Sequence, residues 1–296
     1  VTFSNTEFDK DDYVSKTVGY PLEEIPTPAY DELIGTLYEP EERKKLEWAV
    51  GSVIAGDSKM IQKFIVLRGD PGAGKGTFLD ILQRLLPGYC ESFDAKPLAQ
   101  ASSSFSLEAF KNNPLVAISP DTDLSRIEDN TRLNSIVSHE PIEVNAKFER
   151  KYTQQIVSFL IMCTNKDVKI TDAQSGLIRR MIDVYPSGEK VPFERYLQLM
   201  SQIDFELSGI AWHCLQVYKK YGKDYYNGYI PKAMIRSTNE FYGFIDYYYD
   251  EFAKESYITL KDAWGLYKEY VDYANLRYPI NMRQLGIELK NYFKEF

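Results

Sequence analysis

The sequence predicts an α/β fold in which helices pack around a parallel β-sheet. Three apolar, β-branched runs are typical of buried parallel strands, and each leads into glycine-rich or polar residues: Phe64–Leu67, Leu115–Ile118 and Val157–Met162. Between and beyond these runs, hydrophobic residues recur at helical spacing, as in segments 41–55 and 78–86. With 296 residues, 44% of them hydrophobic, the chain suits one large α/β domain with smaller attachments.

The first run leads into a glycine-rich loop with the spacing of a phosphate-binding loop (P-loop). Gly69, Gly74 and Lys75 fit the pattern Gly-x-x-x-x-Gly-Lys, and a helical segment follows. The glycines let backbone N–H groups point into one concavity, at the positive end of the helix. We therefore expect ATP to be bound by Gly69, Asp70, Pro71, Gly72, Ala73, Gly74, Lys75, Gly76, Thr77 and Phe78.

One position of the loop departs from this pattern. The Ser or Thr that normally follows the lysine and binds Mg²⁺ is replaced by Gly76, and the hydroxyl comes one residue later, at Thr77. We expect Thr77 or a water molecule to take over as metal ligand. Slow or absent hydrolysis stays open as a consequence of the change.

Acidic and amide side chains follow the second and third runs. Asp121 and Asp123 come after the second run, and we expect this strand to lie beside the P-loop strand, which brings an acid near the Mg²⁺. Asp121 is the expected metal ligand, but which of the two binds metal and which polarises water stays open. Asn165 comes three residues after the third run and is expected to contact the γ-phosphate or its attacking water.

Two later segments add positive charge. Ile142–Ile156 is expected to form a hairpin, and its tip carries basic residues beside aromatic ones, which suits single-stranded DNA: Lys147, Arg150 and Lys151. A solvated hairpin is the alternative. Arg179 and Arg180 precede a further predicted strand, and one of them is a candidate arginine finger, with a solvated pair as the alternative.

The remaining chain is predicted to be mostly helical. Residues 1–29 are expected to be an arm or linker, and helices are expected over 193–203, 205–221 and much of 232–255. Thr259 and Asn281 are predicted helix caps near the end of the chain. We expect four segments: 1–58, an arm and helix; 59–190, the P-loop core; 191–235, a helical lid; and 236–296, a winged-helix-like unit.

Charge and cysteine content narrow the function further. A net charge of -8 argues against a protein that coats nucleic acid with its whole surface, but not against DNA contacts confined to a pore. The three cysteines are far apart and show no metal-binding or disulfide spacing, so we expect buried thiols in a reducing compartment. No run has the length of a membrane span, and the chain does not open with a signal peptide.

In this order, the motifs resemble those of superfamily 3 helicases, and most closely the poxvirus and phage primase–helicase branch of the AAA+ ATPases. The resemblance covers roughly Glu41 to Tyr221 and rests on five segments: Gly69–Thr77, Leu115–Asp123, Asn145–Lys151, Phe159–Asn165 and Gly176–Arg180. The chain departs from the family at Gly76 and at Pro120, which breaks the family's usual pair of adjacent acids.

The resemblance implies a homo-oligomeric ring, a hexamer, that hydrolyses ATP with Mg²⁺ and moves along single-stranded DNA. It implies that the basic hairpin lines the pore. It also implies the C-terminal helicase region of a phage primase–polymerase, as in a deep-sea vent phage, with the primase–polymerase domain linked upstream. Such a protein works in the cytoplasm of the bacterial host.

Two alternatives come from other functional classes. The first is a ring-forming DNA-binding module whose nucleotide site is structural and does not hydrolyse ATP, because of Gly76 and Pro120. The second is a nucleotide kinase, since the segment Gly72–Thr77 also resembles adenylate-kinase loops. In those enzymes the loop lies near the N-terminus, whereas 68 residues precede Gly69 here.

Overall fold

In the computed structural model, the central sheet of the chain is built from five parallel strands. The structure describes residues 17–95, 107–122, 131–144, 152–166, 176–234, 240–254, 257–274, 276 and 279–293. The sheet strands are β1 (Phe64–Arg68), β2 (Cys90–Ser92), β3 (Val116–Ser119), β6 (Phe159–Thr164) and β7 (Met181–Val184). Between β3 and β6 in sequence, β4 (Pro141–Val144) and β5 (Tyr152–Gln155) form the predicted antiparallel hairpin. The parallel sheet confirms the predicted fold class.

The strand order corrects one expectation. The order is β2-β3-β6-β1-β7, so the strand that precedes Asp121 does not lie beside the P-loop strand. β6 lies between them: its Met162 is in register with Val66 of β1 on one side and with Ser119 of β3 on the other. All six residues of β6 are buried, as expected for a strand paired on both edges and covered on both faces.

The described residues also form helices before, between and after the strands along the chain. They are α1 (Pro28–Leu37), α2 (Pro40–Ile54), α3 (Lys75–Leu85), α4 (Thr131–Val137), α5 (Phe193–Tyr221), α6 (Glu240–Tyr247), α7 (Tyr249–Lys254), α8 (Leu260–Tyr273) and α9 (Met282–Tyr292). Residues 232–234 are also helical, and short 3₁₀ turns and irregular segments make up the rest of the described chain. No helix among the described residues is both long and apolar enough to cross a membrane.

Two helices differ from the predictions. The expected arm ends at Pro28, because that proline occupies the first turn of α1, where its missing N–H is no cost. The two helices expected on either side of Asp204 are one continuous helix, α5. No glycine or proline interrupts the chain at that point, and Asp204 lies on the exposed face, where it pairs with Arg84 at 2.7 Å.

The long helix α5 holds the two N-terminal helices against the core. Gly51 of α2 packs so closely on α5 that a β-carbon there would lie 2.0 Å from the Cys214 carbonyl oxygen. The carboxylate of Glu206 on α5 accepts hydrogen bonds from the Ala29 and Tyr30 amides, both at 2.9 Å. It therefore caps α1 in place of a neighbouring side chain, and its negative charge suits the positive end of that helix.

Contacts between α-carbons divide the chain into two units, and the second includes Lys232–Phe296. Its described residues form helices around a small core that contains Phe244, Tyr267 and Leu285. The side chains of Thr259 and Asn281 cap α8 and α9 as predicted. The helical stretch expected over 232–255 is interrupted at Tyr248, between α6 and α7. The winged-helix form and the four predicted segment boundaries stay predictions.

We expect Glu206→Ala to lower the free energy of unfolding by about 2 kcal/mol, since two buried amides of α1 lose a charged acceptor. Glu206→Gln keeps one acceptor oxygen and should cost less. The matched control is Asp204→Ala on the same helix, where loss of an exposed ion pair should cost less than about 1 kcal/mol. Urea unfolding measures all three, and equal losses for Glu206→Ala and Asp204→Ala would contradict the capping role.

Candidate nucleotide-binding site

The end of β6 holds the two sides of the site in place. The Gly69 amide, at the start of the loop, donates to the Thr164 carbonyl at 3.1 Å. The Thr122 amide, directly after Asp121, donates to the adjacent carbonyl, that of Cys163, at 2.8 Å. Since consecutive residues of one strand accept these two bonds, the glycine-rich loop and the acidic segment lie on either side of the same strand end.

The loop has the backbone shape that its glycines predict. Gly72 and Gly74 have φ angles of +78° and +99°, in the left-handed region that favours glycine. Gly74 is the residue directly before α3, so the loop opens onto the positive end of that helix. A β-carbon at Gly72 or Gly76 would meet no heavy atom within 4 Å, which leaves their backbone open to a ligand. These features fit a triphosphate.

Lys75 lies at the mouth of the loop. Its ammonium group donates to the carbonyl of Gly69 and, at 2.9 Å, to that of Asp70. Burial raises the pKa of the Cys163 thiol on β6 to about 12, while the charge of Lys75 lowers this pKa and that of Asp121 raises it. The loop that leads into Lys75 is held at Thr164 and the residue after Asp121 is held at Cys163, so Lys75 and Asp121 follow segments at the same end of the sheet.

Two of the predicted metal ligands lie in the described residues. Thr77 is half-buried in the first turn of α3, and Asp121 is exposed just after β3. No three His, Cys, Asp or Glu side chains in the described parts of the chain converge on a metal site. Mg²⁺ bound with ATP needs only one or two carboxylates, because phosphate and water oxygens complete its shell, so Asp121 with Thr77 fits that ion. Asp123 lies outside the described residues.

Asn165 follows β6 in an exposed turn. The Thr164 hydroxyl fixes this turn, because it accepts from the Lys166 amide at 3.0 Å. The turn begins at the residue whose carbonyl holds Gly69. Asn165 therefore comes directly after the strand end that holds both the loop and the acidic segment, and its contact with the γ-phosphate or the attacking water stays a prediction.

The two arginines of the predicted finger have different environments. Arg180 is buried, and its guanidinium donates to the Gly176 carbonyl at 2.8 Å, to Ser138 at 2.6 Å and to Asn134 at 3.3 Å. Burial and the neighbouring charge of Arg179 lower the pKa of Arg180. The Arg179 side chain is exposed. Only Arg179 is therefore positioned to reach another molecule without giving up internal bonds.

A buried lysine anchors the turn that carries these arginines. Lys63, the residue before β1, donates to the Arg179 carbonyl. Burial and the charges of Arg180 and Arg179 lower the pKa of Lys63 to about 8. The lysine thus connects the start of the P-loop strand to the short turn Ile178–Arg180.

The structure describes the two paired strands of the predicted DNA-binding hairpin. The pair next to the tip is Val144 with Tyr152. The three basic residues of its tip, Lys147, Arg150 and Lys151, lie outside the described residues.

Residues outside the motif also shape the loop. A β-carbon on Gly74 would lie 3.0 Å from the Leu37 side chain, and one on Gly69 would lie 3.0 Å from Pro186. Tyr38 donates its hydroxyl hydrogen to the Gly74 carbonyl at 3.2 Å. Sequence reasoning missed these three residues. Leu37 and Tyr38 lie more than 30 residues before the loop and Pro186 lies more than 100 residues after it, so no local pattern points from these residues to the loop.

Beside the loop opens a cavity of about 240 Å³. Loop residues from Arg68 to Ala73 line one side, and the segment after β7, including Tyr185 and Lys190, lines the other. Accessible space therefore lies beside the loop, in addition to the N-terminal end of α3 that follows it.

Comparisons with known proteins agree with this fold. A family of unknown function (DUF5906) matches residues 67–180, which include the loop and every other predicted site residue. A structure of the NrS-1 C-terminal region matches with a TM-score of 0.54 at 14% identity. The match covers 85% of this chain and 64% of the NrS-1 chain. A second structure of that region matches with a TM-score of 0.52 at 15% identity. This match covers 74% of this chain and 53% of the NrS-1 chain.

These comparisons show a shared α/β fold. This chain spans between about half and two thirds of the length of the NrS-1 structures that it matches. A JCV helicase structure also matches, but its TM-score of 0.42 at 13% identity is too low to carry an argument. The parallel sheet agrees with the α/β fold that the sequence predicts.

Proposed function

We propose that this chain is the ATPase module of a DNA helicase. The observation that carries the proposal is the end of β6, where adjacent carbonyls hold the P-loop and the acidic segment on either side of the strand that leads into Asn165. Lysine and backbone amides on one side, and a carboxylate and an amide side chain on the other, are what a phosphoryl-transfer site requires. The resemblance of the motifs to superfamily 3 helicases supports DNA as the partner.

Each residue has a distinct role in this proposal. Lys75 and the amides of the loop bind the phosphates. Thr77 and Asp121 would hold Mg²⁺, which neutralises developing charge on the phosphates. Asn165 and Asp123 orient or polarise the attacking water.

The same proposal includes an assembly. Arg179 of one subunit stabilises the transition state at the site of the next, in a homo-oligomeric ring, a hexamer by resemblance. Lys147, Arg150 and Lys151 contact single-stranded DNA in its pore. A linked primase–polymerase domain and a location in the cytoplasm of a bacterial host complete the proposal.

The metal role of Thr77 can be tested by moving its hydroxyl. We expect Thr77→Val to lower the Mg²⁺-dependent rate of ATP hydrolysis about tenfold or more, because Val keeps the shape and removes the ligand. Gly76→Ser in the same chain should restore most of the rate, since a β-carbon at Gly76 meets no atom within 4 Å. Thr77→Ser is the control and should stay active. Equal rates for Thr77→Val and the wild type would remove Thr77 from the metal site.

The arginine pair provides a matched test of the subunit interface. We expect Arg179→Ala to fold normally and to lose about 10³-fold in ATP hydrolysis. Mixing it with inactive Lys75→Ala subunits should restore part of the rate, because an intact loop then meets an intact Arg179. Arg180→Ala should instead lower the stability, since it leaves buried partners without their donor. Activity restored by mixing for Arg180→Ala, but not for Arg179→Ala, would reverse the assignment.

A further inference from the structure

A pair of buried hydroxyl groups closes the turn that carries Asp121. Ser119 is the last residue of β3, and its hydroxyl is hydrogen-bonded to that of Thr122, three residues on. The two residues are 1% and 2% exposed, whereas Pro120 and Asp121 between them are exposed. The turn is therefore fastened at its buried base, and Asp121 lies at its exposed tip.

Both ends of this turn are also held by β6. Ser119 is paired with that strand in parallel register. The Thr122 amide donates to the carbonyl of Cys163 in β6 at 2.8 Å. Pro120 adds a fixed φ angle at the residue directly before Asp121. The backbone on either side of Asp121 is thus anchored, and the hydroxyl pair is the side-chain contribution to this anchoring.

The carboxylate of Asp121 has no such support of its own. In the parts of the chain that the structure describes, no group donates a hydrogen bond to it. Its position is therefore set by the backbone of the turn, and its oxygens are accessible to a ligand. Mg²⁺ requires near-ideal octahedral geometry, and the residues behind a metal ligand are what orient it.

Stability alone gives little reason for two hydroxyls at this place. A hydrogen bond between buried groups contributes little net free energy, and an apolar pair of the same shape can be nearly as stable. The other residues of β3, Val116–Ile118, are apolar and buried. What the hydrogen bond adds is a fixed distance between Ser119 and Thr122, and hence a fixed turn.

We propose that the Ser119–Thr122 hydroxyl pair positions Asp121 for metal binding. Loss of either hydroxyl releases the base of the turn, so that the carboxylate can leave the geometry that the metal requires. Both residues act through Asp121, so they are positioning residues and not metal ligands. This role rests on the proposed function, in which Asp121 binds the metal that accompanies the nucleotide.

The test measures metal binding rather than turnover. Mn²⁺ takes the same oxygen ligands as Mg²⁺, and electron paramagnetic resonance counts the free ion when the full chain holds a non-hydrolysable ATP analogue. We expect Thr122→Val, which keeps the shape and removes the hydroxyl, to weaken Mn²⁺ binding about tenfold or more. Thr122→Ser keeps the hydroxyl and should stay within about threefold of the wild type. Binding of the analogue without metal should not change in either variant.

A second buried serine provides a matched control. Ser52 of α2 is fully buried, and its hydroxyl donates to the Ala49 carbonyl at 2.7 Å. Ser119→Ala and Ser52→Ala each remove one buried hydroxyl, but only Ser119→Ala should weaken Mn²⁺ binding, by about tenfold. If Thr122→Val does not fold, Ser119→Ala decides. Unchanged Mn²⁺ binding by these two variants of the turn, or an equal loss for Ser52→Ala, would overturn the proposal.

Phosphate release from ATP, measured on the same proteins, separates this role from the proposed function. A wild type that binds Mn²⁺ with the analogue but releases no phosphate would contradict the ATPase, while a loss of Mn²⁺ in Thr122→Val would still support the role of the turn. A wild type that hydrolyses ATP, with unchanged Mn²⁺ binding by Thr122→Val, would overturn that role alone. Absence of Mn²⁺ binding by the wild type, or unchanged binding by Asp121→Asn, would contradict both.

Discussion

Two adjacent carbonyl groups at the end of β6 determine the geometry of the candidate site. One holds the first glycine of the loop, and the other holds the segment that carries Asp121. β6 is paired on both edges and buried along its whole length, so its end is fixed by packing on all sides. Lys75, Asp121 and Asn165 come from three distant parts of the sequence, and this strand brings them together.

The loop is also supported from outside its motif. Glu206 on α5 caps the start of α1, and α1 ends at Leu37, whose side chain contacts Gly74. Tyr38 then bonds to the carbonyl of the same glycine. A continuous series of contacts thus runs from the long helix to the glycine-rich loop. Substitutions in α1 or α5 should therefore affect the site without touching a ligand.

Local patterns were enough to predict the strands, the loop, the hairpin base and the caps at Thr259 and Asn281, since each depends on residues close in sequence. The order of the strands was not predictable in this way. Two of the three partners of Arg180, Asn134 and Ser138, lie more than 40 residues away, so the sequence left the choice between the two arginines open. The cap of α1 comes from α5, 177 residues along the chain, and no local rule predicts it.

The central claim is that the Gly69–Phe78 loop and the segments beside it hydrolyse ATP when DNA is present. The most direct measurement is phosphate release from ATP and Mg²⁺, with and without single-stranded DNA, for the wild type and Lys75→Ala, alongside the solution mass. We expect DNA-stimulated release by a multimeric wild type and none by Lys75→Ala. Release that is absent from the wild type, or equal in both proteins, would contradict it.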